Sequence, residues 1–161
     1  MNKEDQVMGG FRDILKKKTW LDKIRMEEQL KDYKASEVHC IEYIGSNEES
    51  NVTRLAEAFY MTRGAMSKMT QKLIKKGIIE SYQRPDNKKE IYFRLTGRGQ
   101  DVYKIHKKLH REFQERDKEV FEQVTEEDLD RMIRFVHNYN RHLDKEMEKQ
   151  GIDIRTIKSE S

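Results

Sequence analysis

Apolar residues recur along this chain at intervals of three and four, which is the spacing of helices that bury one face. Val7, Phe11, Ile14 and Leu15 keep that interval, and so do Leu21, Ile24 and Leu30, so one long or broken N-terminal helix is expected. Ser36 is placed as the N-cap of a second helix carrying Val38, Cys40, Ile41 and Ile44, with Gly45 as its stop. Ser46 to Ser50 is polar and reads as a loop. Asn51 then caps a short helix, Val52 to Phe59, which buries Val52, Leu55, Ala56 and Phe59. A break follows at Tyr60-Met61. Thr62 caps a further run, Arg63 to Lys76, and Gly77 ends it.

Beyond Gly77 the period changes. Ile78 to Tyr82 reads as a strand, Pro85-Asp86-Asn87 as a turn, and Glu90 to Leu95 as the returning strand. The result is a β-hairpin with Lys88 and Lys89 at its tip. Pro85 is the single proline, so the other elements can be long. Thr96 opens a helix that keeps its period through Val102, Ile105, Leu109, Phe113, Val120, Phe121 and Val124, or ~39 Å for about 26 residues. Thr125 with Glu126, Glu127 and Asp128 caps a last helix carrying Leu129, Met132, Ile133, Val136, Leu143 and Met147. The expected class is mainly α with a small β-hairpin. The expected divisions are an N-terminal helix (1–34), a central lobe (35–98), C-terminal helices (99–149) and a loose tail (150–161).

Two short helices, a tight turn and a basic hairpin are laid out as in a winged helix-turn-helix. The faces of the Arg63–Lys76 run support that layout. At ~100° per residue Met66, Met69 and Leu73 share one side, while Gly64, Ser67, Lys68, Gln71 and Lys75 share the other. The second side is small, polar and basic, which suits a helix in a DNA major groove. Thr62, Ser67 and Gln71 can bond base edges or phosphates. Arg63 and Lys68 are the leading candidates for base or phosphate contact, and Lys72 and Lys75 for phosphate. Thr62 and the free amides of the helix start make a phosphate seat. Arg84, Lys88 and Lys89 supply cations on the wing for a minor groove.

Charge strengthens this reading. The chain of 161 residues has a net charge of only +3. Arg63 to Arg98, however, holds ten Lys or Arg against three acids, a local +7, whereas Glu112 to Glu148 holds twelve acids against six bases, a local −6. A basic segment beside an acidic one marks where a polyanion binds. Composition also bears on assembly. Only 35% of residues are hydrophobic and 39% are charged, so the core is lean and long apolar helix faces need a partner subunit.

The residues resemble the MarR family of bacterial regulators between Asn51 and Thr96. The resemblance is carried by Asn51-Val52-Thr53-Arg54-Leu55-Ala56-Glu57, by Met61 to Lys68, by Leu73-Ile74-Lys75-Lys76-Gly77-Ile78-Ile79, and by Leu95-Thr96 closing the wing. It implies a cytoplasmic bacterial homodimer, paired through the N-terminal and the last two helices. The dimer would present two recognition helices to an inverted repeat of double-stranded DNA, at half-sites ~34–36 Å apart. It further implies a repressor switched by a small effector. The family's wing usually carries Asp-Arg-Arg, and Asn87, Lys88 and Lys89 stand at those places here. Its Asp–Arg brace therefore has no counterpart unless Asp86 supplies the acid. Lysine is also the poorer bidentate donor.

Three features are candidates for the switch. His106 and His110 stand at i, i+4, and with His39 and Asp22 they could form a tetrahedral zinc set. A similar arrangement occurs in the family's zinc-sensing branch, but its fatty-acid-synthesis repressors look much alike here and are not zinc sensors. Cys40, the single cysteine, is a candidate redox thiol, although free cysteines beside apolar neighbours are usually inert. Trp20, Met26, Tyr33, Tyr43 and Met61 are candidate walls of an effector pocket between lobe and arms.

Enzymatic function is not expected. The chain holds no nucleophile elbow, phosphate loop or dinucleotide fingerprint, and Lys107 follows His106 where an HExxH pair needs glutamate. No apolar run reaches the ~18 residues that span a bilayer, and Met1 to Gln6 lacks the apolar core of a secretory signal. Two other functions fit the same residues. One is a zinc-responsive sensor using His39, His106 and His110. The other is an interaction protein that uses the same fold without DNA.

Overall fold

A computed structural model describes residues 1–151. Six helices and one hairpin follow in the order α1 (Lys3–Gln29), α2 (Ala35–Ser46), α3 (Val52–Phe59), α4 (Arg63–Lys75), β1 (Ile79–Arg84), β2 (Asn87–Leu95), α5 (Gly97–Glu122) and α6 (Glu126–Lys149). Of the tail expected over 150–161, Gln150 caps α6 and residues 152–161 lie outside the described residues.

The helix starts follow from side chains three residues upstream of a free amide. Asn51 accepts from the Arg54 amide, Thr62 from Ala65, Thr96 from Gly99 and Thr125 from Asp128. Helix α4 ends where Gly77 turns left-handed at φ 71°, a conformation without penalty for glycine. The start of α2 departs from expectation. Ser36 is not its cap; Glu37 reaches back to the Lys34 amide at 3.1 Å, and the helix opens two residues earlier. Gly45 does not end α2 either. It lies inside the helix, where a Cβ would stand 2.7 Å from the Tyr103 ring and 2.9 Å from a Leu95 methyl. Its missing side chain lets α2 lie close against α5.

The hairpin pairs Ile79 with Leu95, Ser81 with Phe93 and Tyr82 with Tyr92, with a register shift between Tyr82 and Arg84. Its turn is Pro85-Asp86, so Lys88 and Lys89 are exposed residues of β2 just past the tip. Ser50 adds one bridge to the hairpin edge, its carbonyl accepting from the Phe93 amide at 2.8 Å.

The core lies in the central lobe. Ile41, Leu55, Met66, Leu73, Ile78, Ile79 and Leu109 are fully buried there, drawn from α2, α3, α4, the hairpin and α5. Helices α1 and α6 bury no residue at all. Lys18–Asp117, Arg25–Glu112 and Asp22–Arg116 ion pairs fasten α1 along α5. Phe11 of α1 meets Phe135 of α6, ring centroids 6.3 Å apart. Most other large apolar residues of these arms, among them Ile14, Leu15 and Leu21 on α1 and Ile133 and Val136 on α6, stand exposed.

Candidate nucleic-acid interface

Helix α3 turns into α4 through Tyr60, whose left-handed backbone (φ 52°) ends the first helix, and through Met61, which leads to the Thr62 cap. The inner face of α4 is formed by Met66, Thr70 and Leu73, all buried. Met69 is half-buried, and Thr70 fills a place that the apolar pattern did not mark; its hydroxyl donates to the Ser67 carbonyl at 2.9 Å. On the opposite face Arg63, Gly64, Lys68, Gln71, Lys72 and Lys75 are exposed, while Ser67 is half-buried. Thr62 is exposed, and its oxygen holds the Ala65 amide at 3.1 Å. None of the ion pairs among the described residues engages Arg63, Lys68, Lys72 or Lys75. Lys76, one residue on, is withdrawn: its ammonium lies 2.8 Å from the Glu37 carboxylate and over the Tyr33 ring.

The wing is divided in the same way. Lys88 and Lys89 are exposed. Arg84 is committed, with Nε and Nη2 each 3.0 Å from an Asp86 carboxylate oxygen and Nη1 on Glu49. Asp86 thus provides the acid missing at Asn87. Arg94 crosses the ribbon to Glu80 at 2.7 Å and lies over the Tyr82 ring. The roles of Glu49 and of the Glu37–Lys76 pair carried no sequence signal, because the partners are 35 and 39 residues apart.

A second constellation lies behind the lobe. A cavity of about 750 Å³ opens between α1, the start of α2 and α5, lined by Met26, Leu30, Tyr33, Val38, His39, His106, His110 and Phe113 among others. Of the expected walls, Met26 and Tyr33 belong to it. Trp20 is 65% exposed, Tyr43 packs on Phe59, and neither they nor Met61 line the cavity. His106 is 1% exposed, its Nδ1 has no hydrogen-bond partner, and its Nε2 is 3.2 Å from that of His110. Burial above all holds the His106 pKa below the ordinary histidine value; His110 and His39 act in the same direction, against Glu42. Asp22 lines the cavity but is taken by Arg116 at 3.0 Å. The carboxylate beside the histidines is instead Glu42, 3.9 Å from Nδ1 of both His39 and His106, and these three residues offer ligand atoms within 4.8 Å of one another. Cys40 is fully buried and its thiol is pushed up to about 12, chiefly by burial. A redox sensor needs an accessible thiol of low pKa, and Cys40 is neither.

A helix pair with a polar, basic outer face, followed by a twisted ribbon, defines a winged helix-turn-helix module. Residues 34–91 match the model of the MarR family. Over that segment the lobe is similar to the MarR family. A Bacillus subtilis relative described as an uncharacterized HTH-type transcriptional regulator, YhjH, is 37% identical over 94 residues, covering 58% of this chain and 54% of its own length. The HTH-type transcriptional regulator PchR of the same organism is 31% identical over 109 residues, 68% of this chain and 64% of its own. The chain thus spans about half to just under two thirds of the length of these relatives. The fold reaches further. Streptococcus pneumoniae FabT in complex with DNA superposes with a TM-score of 0.75 at 18% identity, over 89% of this chain and 99% of that one. The S. aureus MepR–DNA complex superposes at 0.69 and 18% identity, over 88% and 99%. No helix among the described residues is long and apolar enough to cross a membrane.

Proposed function

We propose that this protein is a transcriptional regulator that binds double-stranded DNA in a sequence-dependent way, as a homodimer on an inverted repeat. The observation that carries this reading is the outer face of α4, where Arg63, Lys68, Gln71, Lys72 and Lys75 stand exposed beside the Thr62 cap. A groove-lying helix needs small residues at its N-terminal end, and Gly64 and Ala65 meet that need. Arg63 and Lys68 contact base edges or phosphates; Lys72, Lys75, Lys88 and Lys89 meet phosphates, and Thr62 with the amides of the helix start seats one more. The DNA complexes of the FabT and MepR neighbours support the same use of the fold. The test is binding of a duplex selected from a random-sequence pool. Arg63→Ala with Lys68→Ala is expected to weaken it at least tenfold and to flatten its salt dependence, since each lost phosphate contact removes ~0.9 from the slope of log K against log salt. Unchanged binding would overturn the reading.

The exposed apolar residues of α1 and α6 support the dimer, because a monomer would leave them in water. Sedimentation at micromolar concentration is expected to give twice the chain mass. The cavity beside α1 supports a repressor released by a small effector.

A second reading is favoured by the orphaned Nδ1 of buried His106. A neutral imidazole nitrogen aimed at His39 and Glu42 suits zinc, with His110 alongside. His39, Glu42 and His106 would hold the ion, and Asp22 could join them only on leaving Arg116. Elemental analysis of the purified protein, and DNA affinity with and without a chelator, decide between the two. No bound zinc and no chelator effect would remove the metal.

A further inference from the structure

The wing of this protein is joined to the lobe at a place the helix-turn-helix layout does not require. Glu49, in the loop between α2 and α3, holds a left-handed backbone at φ 59°, which an L side chain adopts at some cost. Three contacts keep it there. Arg54 donates to the Glu49 carbonyl at 2.7 Å, Ser50 bridges to Phe93, and the Glu49 carboxylate receives Arg84 Nη1. Asn51, the next residue but one, donates to Glu90 on β2 at 3.4 Å. Residues 49–51 thus bind the hairpin at several points along its length, while Asn51 also caps α3.

Arg84 is the hub. Its guanidinium has five N–H donors. Two meet Asp86 and one meets Glu49, so a single positive charge faces two carboxylates. As it stands it offers DNA no net cation. Lys88 and Lys89, a few residues on, are exposed and have no such partners among the described residues.

We infer that Glu49 and Arg84 form a latch that fixes the angle of the wing against the recognition helix, and that Arg84 is a positioning residue acting through Lys88 and Lys89, not a phosphate contact. This rests on the DNA reading above. A latched wing reaches the backbone without having to be ordered on binding, and ordering is what a floppy ribbon would cost.

The two roles for Arg84 predict opposite results. If it were a cation held in check, removing the acid would free it for DNA and raise affinity. If it is the latch, removing the acid lowers affinity. The measurement is binding of the full chain to a pool-selected duplex across a range of salt, with thermal melts to confirm folding. Glu49→Gln, close in shape to the native residue, is expected to weaken binding about tenfold, the scale of re-ordering one or two side chains. If the two act as one unit, adding Glu49→Gln to Arg84→Ala is expected to cost little more than Arg84→Ala alone. In a Lys88→Ala, Lys89→Ala background, Arg84→Ala is expected to change neither affinity nor salt slope further. A gain of affinity in Glu49→Gln overturns the latch. So does a further slope loss of ~0.9 on adding Arg84→Ala to the lysine double variant. Failure of the native chain to bind any duplex would sink the DNA reading itself, and the latch with it, before any variant is compared.

Discussion

Lys76→Met is the substitution whose outcome the structure constrains most tightly. The Glu37 side chain is 6% exposed and accepts from two donors, the Lys76 ammonium at 2.8 Å and the Lys34 amide at 3.1 Å. Methionine keeps the apolar stem of Lys76 but removes the charge. Breaking a buried ion pair from one side costs about 3–5 kcal/mol, because the other charge is left stranded. Lys76 is itself 40% exposed, so water already screens the pair and enters part of the vacated space. The expected loss is therefore about 1–3 kcal/mol at pH 7. Its pH dependence gives a sharper check. Burial raises the Glu37 pKa, but the hydrogen bonds from Lys76 and from the Lys34 amide, with the Lys76 charge, outweigh it, and the net displacement is downward. A carboxyl of depressed folded pKa contributes stability above its unfolded value, roughly pH 4.3, and loses that contribution as pH falls through the folded value. In Lys76→Met the burial effect is left without its main opponent, and acid now relieves the stranded charge. The gap between native and variant should thus be widest at pH 7 and narrow toward pH 4. Urea unfolding at fixed protein concentration, at several pH values, measures it. A variant as stable as the native chain at pH 7, or a gap constant down to pH 4, would refute the reasoning.

Three further outcomes are expected. Gly45→Ala, which sets a methyl against the Tyr103 ring, should cost about 1–3 kcal/mol in a thermal melt, and an unchanged midpoint would mean that α2 and α5 do not pack so closely. Leu73→Ala, on the fully buried face of α4, should cost about 2–5 kcal/mol by urea unfolding, far more than the neighbouring exposed Lys72→Ala. Thr62→Ala removes the α4 cap and should cost about 1 kcal/mol, with Thr62→Ser recovering most of it; equal stability of all three would show that the cap contributes nothing.

How far the chain could be read from its sequence depended on the range of the interaction. Asn51, Thr62, Thr96 and Thr125 were legible as caps because each acts on an amide three residues away. The outer face of α4 was legible because a helical period needs no knowledge of what it packs on. Gly45 misled because one residue type serves two ends: a stop at a helix terminus, and a clearance inside one where another element passes close. Ser36 misled because Glu37 caps Lys34 from within the helix, a local contact that competes with the serine. The Arg84 contact to Glu49, the Glu37–Lys76 pair and the exchange of Asp22 for Glu42 beside the histidines were out of reach. Each joins segments that only the tertiary fold brings together.

Cys40 has one more consequence. It is the single thiol of the chain, shut inside α2, and at neutral pH both access and ionisation are denied to it. A thiol reagent therefore has nothing to attack until the lobe opens. In native buffer the labelling rate becomes a count of openings, without denaturant, dye or tag. The residue that fails as a redox sensor is thereby a built-in clock for the breathing of the lobe.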